Sequence, residues 1–101
     1  MADFGRLVSF QWDGGNERKS LDKHSVTQAE AEQIFFNQPL VVRADVKHSQ
    51  SEPRFHALGK TNAGRLLHVS FTVRGGGTLI RVISARKMHH KERAIHEEAS
   101  P

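Results

Sequence analysis

Two short glycine-containing connections organise the second half of the chain. Thr61-Asn62-Ala63-Gly64 and Arg74-Gly75-Gly76-Gly77 each separate two apolar runs, and connections this short join neighbouring strands as antiparallel hairpins. The three glycines of the second turn answer a need for backbone freedom and do not make a phosphate-binding loop. With Leu40 to Ala44 and Phe55 to Lys60 ahead of Leu66 to Val73 and Thr78 to Ala85, four strands follow one another as an antiparallel meander. A further strand is expected at Leu7 to Trp12, where Val8, Phe10 and Trp12 alternate with Leu7, Ser9 and Gln11. Asp13-Gly14-Gly15-Asn16 supplies the turn that ends it.

Helical signals occupy the space between. A short helix over Asn16 to Lys23 would carry little apolar surface. In Ser25-Val26-Thr27-Gln28-Ala29-Glu30, Thr27 and Glu30 are spaced as a capping box, each satisfying a free N–H of a starting helix. That helix is expected to run to Phe36 with Ala31, Ile34 and Phe35 on its core stripe, and Asn37-Gln38-Pro39 stops it. The segment Lys87 to Glu98 mixes charge with good helix formers and reads as a solvated helix docked through Met88 and Ile95. The expectation is an α+β fold, an antiparallel sheet with two N-terminal helices and a C-terminal helix, in a single domain over residues 1–101.

A chain of 101 residues holds one small core, and its 37% hydrophobic content makes that core thin. Lys and Arg number 15 against 11 acids, and the net charge of +4 favours a polyanionic partner. Cysteine is absent, which removes disulfides, thiol nucleophiles and thiolate metal sites. No apolar run approaches the roughly 20 residues of a membrane span, and Met1-Ala2-Asp3-Phe4 lacks the order of a signal peptide. A cytoplasmic location is the expectation.

Several residues have side chains suited to phosphodiester chemistry. Lys23-His24 pairs an ammonium with a group that exchanges protons near neutral pH; a surface pair between two helices is the other reading. Arg81, sharing a strand face with Ile83, and the exit pair Arg86-Lys87 can clamp a phosphate or keep an edge strand soluble. Arg54, at the head of a strand, is read as a site residue, whereas His48 fits a solvated loop or the RNA surface. Trp12 can stack a base or fill the core. His56 and His68, inside strands, read as packed or rim residues, and Asp45 as part of a polar loop. His89, Glu92 and His96 can share one helix face, but further ligands for a metal are lacking, so neither metal nor cofactor is expected.

The ordered set Phe10-Gln11-Trp12-Asp13, Lys23-His24-Ser25-Val26, Ala29, Phe35, Pro39, His48, Arg54-Phe55, Gly59, Gly64-Arg65-Leu66-Leu67, Val69, Phe71-Thr72, Arg81, Ile83-Ser84-Ala85-Arg86 and Glu92 resembles the BrnT family of bacterial toxins. The resemblance covers nearly the whole chain. It implies a RelE-like fold and a metal-independent endoribonuclease that cuts RNA through the ribose 2′-OH and inhibits translation. It further implies neutralisation by a BrnA-type antitoxin in a heterotetramer, with operator DNA bound only through the antitoxin. Catalytic residues would come from Lys23, His24, Arg54, Arg81, Arg86 and His96, and RNA-binding residues from Trp12, Lys87 and His48. The sequence departs from the family pattern at Asn16, Ser20 and His96, where Lys, Asn and Tyr are usual. His96 would then take over base stacking or proton exchange, or activity would be weakened, leaving a binding module of the same fold as the alternative.

Overall fold

The computed structural model describes residues 9–12, 23–48, 52–77 and 79–100. The capping box forms as its spacing requires. Thr27 stays extended at φ −79° and ψ 160°, its hydroxyl accepts from the Glu30 N–H at 3.1 Å, and the Glu30 carboxylate accepts from the Thr27 N–H at 3.1 Å. Helix α1, Gln28–Gln33, follows and tightens into a 3₁₀ turn at Ile34–Phe36. Ala31, Ile34 and Phe35 are buried, so the apolar stripe is the docking face. Arg65 ties this start to the hairpin turn, donating to Glu30 at 2.9 Å and to the Ser25 carbonyl at 2.8 Å. Of the expected Asn16–Lys23 helix, Lys23 is helical together with His24; the rest lies outside the described residues, as do the Asp13–Asn16 turn, Leu7, Val8 and Ser20.

Five strands make one sheet: β1 (Ser9–Gln11), β2 (Val41–Ala44), β3 (Arg54–Lys60), β4 (Leu66–Arg74) and β5 (Leu79–Lys87), in the order β1-β5-β4-β3-β2. β2 to β5 form the expected antiparallel meander. The sheet as a whole is mixed rather than antiparallel, because β1 pairs with β5 in parallel. A hairpin dictates direction only for strands that follow one another. β1 and β5 are separated by the helix and the whole meander, so no turn constrains their sense.

One sheet face buries Phe71, Val69, Leu67, Ile80, Val82, Ala85 and Ala57 against Val26, Ala31, Ile34 and Phe35. The approach is close at Gly59, where a Cβ would lie 2.8 Å from the Ile34 Cβ. Residue 59 must therefore lack a side chain for the helix to reach the sheet. A register shift passes between Ser70 and Phe71, which pair with Ser84 and Val82. Ile83 is the extra residue of the resulting bulge, and clean alternation along β5 is lost there. It is Ser84, not Ile83, that resumes the Arg81 face.

β5 extends through Lys87, and the last helix, α2, spans His90–Glu98. It is held to the rest of the chain more firmly than its solvated composition suggests. Met88, ahead of the helix, and His96 are buried, Ile95 is half-buried, and His96 Nε2 lies 2.9 Å from the Pro39 carbonyl.

Candidate active site

The face of the sheet opposite α1 carries its polar residues in rows, because strands paired in register set side chains side by side. The first row is Gln11, Arg81, Thr72 and Arg54. The second is Ser84, Ser70, His56 and Arg43. The third is Arg86, His68, Leu58 and Val41.

In the first row, Thr72 is buried and its hydroxyl donates to the Pro53 carbonyl at 2.6 Å. Arg54 and Arg81 stand on either side of it, two strand spacings or about 10 Å apart at the backbone. Two guanidinium side chains can close that gap on a single phosphate, each offering paired N–H donors. Arg81 Nη1 donates to Gln11 Oε1 at 3.3 Å, so β1 helps to aim it. Nearby, Glu52 pairs with Arg74 at 3.0 Å; this bond holds its carboxyl below the usual range, and the charges of Arg81 and Arg54 act in the same direction.

The second row contains a polar chain. His56 Nε2 lies 3.1 Å from Asp45 Oδ2, and His56 Nδ1 lies 3.3 Å from Ser70 Oγ. Asp45 is set in place by its own N–H, which donates to the Arg54 carbonyl at 2.8 Å just beyond the last β2 residue. The third row joins the sheet to α2. Glu92 receives both Arg86 guanidinium nitrogens at 2.8 Å and the His89 N–H at 2.7 Å. The Arg86 bonds, aided by the one from the His89 backbone, hold its carboxyl down to about 2 against the opposing effect of burial. His68 Nε2 is 3.7 Å from Glu92 Oε2, and its Nδ1 is buried with no hydrogen-bond partner among the described residues. Burial, then the Arg86 charge, push this imidazole down to about 4. The rings of His56 and His68 lie 4.7 Å apart between centroids, linking the two rows.

The expected site residues are therefore distributed. Arg54 and Arg81 share the first row. Lys23, His24, Arg86 and Lys87 line a groove of about 440 Å³ with Ser25, Met88 and His89 at the exit of β5. Arg86 divides itself between this groove and Glu92. His96 is buried against the Pro39 carbonyl at the far side of α2. Trp12 packs against the core while its indole N–H donates to Glu32 at 3.0 Å, which fits the core reading. His48 closes a 3₁₀ turn, and its side chain lies outside the described residues. Among the described residues no three His, Asp or Glu side chains gather as a metal-binding group, and no helix is long and apolar enough to cross a membrane.

By residue type and position in the sequence, Asp45 fits a polar loop and His56 and His68 fit packed or rim positions, yet the fold brings all three to this face. A usable signal exists: Arg54, His56, His68, Ser70 and Thr72 all sit at even positions of two strands joined by one hairpin, and so on one face.

The fold is that of a small α+β protein with a five-stranded mixed sheet, one face of which carries two arginines and a histidine beside a carboxylate, and the paired N–H donors of arginine suit an anionic ligand. The sequence profile of the family described as "Ribonuclease toxin, BrnT, of type II toxin-antitoxin system" matches residues 12–92, and the chain belongs to that family. Among solved structures, the crystal structure of the Brucella abortus ribonuclease toxin, BrnT, is similar with a TM-score of 0.62, at 22% identity, over 82% of this chain and 99% of that one. At that identity the likeness is one of fold. No curated protein matched the sequence.

Proposed function

We propose that the chain is a metal-independent endoribonuclease of RelE-like architecture that cleaves RNA by attack of a ribose 2′-OH on the adjacent phosphate. The observation that carries this reading is the Arg54–Thr72–Arg81 row. Its two guanidinium groups neutralise the charge that builds on the equatorial oxygens of a pentavalent phosphorus, where donors fixed in advance are worth most. The groove of Lys23, His24, Arg86 and Lys87 takes a neighbouring phosphate of the same strand and sets its direction. Cutting RNA in the cytoplasm halts translation and growth. A BrnA-type antitoxin stops it by covering the arginine row with acidic and apolar side chains, in an assembly of two toxins and two antitoxins that meets operator DNA through the antitoxin.

Cleavage of a generic RNA in EDTA, with end mapping, tests this. The native chain is expected to leave 2′,3′-cyclic phosphates. Arg81→Ala is expected to lose about 100-fold or more in kcat, the usual cost of removing a transition-state donor. Intact RNA, alongside an active control enzyme, would favour the second reading, a binding module of the same fold. The observation behind that alternative is His96, which is buried against the Pro39 carbonyl at a position where the family pattern often has Tyr.

A further inference from the structure

We propose that His56 is the residue that moves the proton in this reaction and that Asp45 is its positioning residue; the inference rests on the ribonuclease reading above. The Asp45 carboxylate at 3.1 Å selects the tautomer with the proton on Nε2, which leaves Nδ1 with a free electron pair. The hydroxyl of Ser70 donates to Nδ1 at 3.3 Å, a long bond that an incoming hydroxyl can replace. His56 is two residues from Arg54 on one strand, so it stands about 7 Å along the sheet from the arginine row. A ribose whose phosphate is held by Arg54 and Arg81 brings its 2′-OH against that second row.

The other histidines whose side chains are described are less suited. His68 has a side chain 9% exposed and an imidazole pushed down to about 4, whereas the His56 side chain is 35% exposed. His96 is buried and engaged with the Pro39 carbonyl. No hydrogen bond joins His24 to a carboxylate among the described residues, and it lines the separate groove beside β5. His89 and His90 are exposed at the start of α2, away from the arginine row. The groups facing His56 come from every neighbouring element: Arg43 of β2, Asp45 after it, Arg54 of β3, His68 and Ser70 of β4, and Glu92 of α2 across a small cavity.

The step balances without any added reagent. His56 Nδ1 takes the 2′-OH proton while the oxygen's electron pair forms the new O–P bond. The P–O5′ bond breaks, and the departing oxygen takes a proton from water. The hydroxide left behind accepts the proton held by His56, so the products are a 2′,3′-cyclic phosphate and a 5′-hydroxyl.

The test is cleavage of a short RNA in EDTA by the native chain, His56→Ala, Asp45→Asn and Arg81→Ala, with and without added imidazole. Binding to a 2′-O-methyl RNA, which cannot be cut, serves as the control for folding. His56→Ala should lose about 100-fold or more in kcat, bind the uncut RNA as the native chain does, and regain about tenfold with imidazole. Asp45→Asn should lose about tenfold in kcat with KM unchanged and should bind the uncut RNA as the native chain does, the signature of a group that orients the ring rather than one that holds the RNA. Two results would overturn the inference while leaving the ribonuclease reading intact. In one, His56→Ala cuts within about threefold of the native chain while Arg81→Ala does not cut. In the other, activity is lost and imidazole restores none of it. Uncut RNA with the native chain would overturn the ribonuclease reading and this inference with it.

Discussion

At His68, burial and the neighbouring Arg86 charge both oppose protonation, and the imidazole is pushed down to about 4. In an unfolded chain the same ring titrates near 6.5. Between these values the unfolded state binds the extra proton, so stability is full above about 6.5 and falls as the pH drops to about 4. Glu92 acts in the same direction at lower pH. With its carboxyl held down to about 2 from an ordinary 4.5, its contribution is present above 4.5 and is lost as the pH falls toward 2. His68→Gln is expected to remove the upper part of this acid sensitivity, worth about 3 kcal/mol at most. Urea unfolding at a series of pH values measures it, and a variant as acid-sensitive as the native chain would place the effect elsewhere. Neither shift can be read from the sequence. His68 and Arg86 are 18 positions apart and become neighbours only through the β4–β5 register, and Glu92 reaches both because the chain turns back after Met88.

The helix α1 is the element whose sequence and structure agree most closely. Its cap, its first turn and its buried stripe all follow from local spacing, and local spacing is what a sequence displays directly. What spacing does not display is how near the helix comes to the sheet. Gly59→Ala is expected to push Ile34 away and destabilise the fold by about 1–3 kcal/mol, with little freedom to relax because the clash is with a Cβ. Thermal unfolding of this variant measures the effect, and an unchanged midpoint would mean that α1 can shift without loss. The strand β5 departs furthest from its sequence pattern. Its length and apolar character were legible, but the bulge at Ile83 was not, because an extra residue leaves no mark in composition. The same holds for the final helix. His96 and Glu92 look like solvent residues by type, and only the contacts with Pro39 and Arg86 make them anchors.

For the whole molecule, the frame matters more for where it puts charge than for how much it carries. A net charge of +4 spread over 101 residues is modest, yet the three rows bring Arg81, Arg54, Arg43 and Arg86 to one face. The antitoxin proposed above should therefore bind more weakly in high salt, as contacts between unlike surface charges do. Size exclusion of the chain with its operon neighbour is expected to give a single complex that no longer cuts RNA; two separate peaks at low salt would count against that partner. Arg54→Glu is expected to weaken the complex through charge reversal. The general frame was legible from alternation and turns. The parallel edge was not, since nothing near Ser9 or Leu79 in the chain marks them as partners.

That parallel edge also governs when the protein becomes complete during synthesis. Gln11 leaves the ribosome early, but its partner Arg81 follows 70 positions later. Until β5 emerges, β1 has no strand to join, and the first row lacks its second arginine, the side chain that Gln11 aims. A pairing this distant along the chain forms late, after the local hairpins have closed. On the function proposed above, the chain is therefore without its complete arginine row for most of its translation, and an antitoxin already present can meet the emerging sheet before that row is assembled.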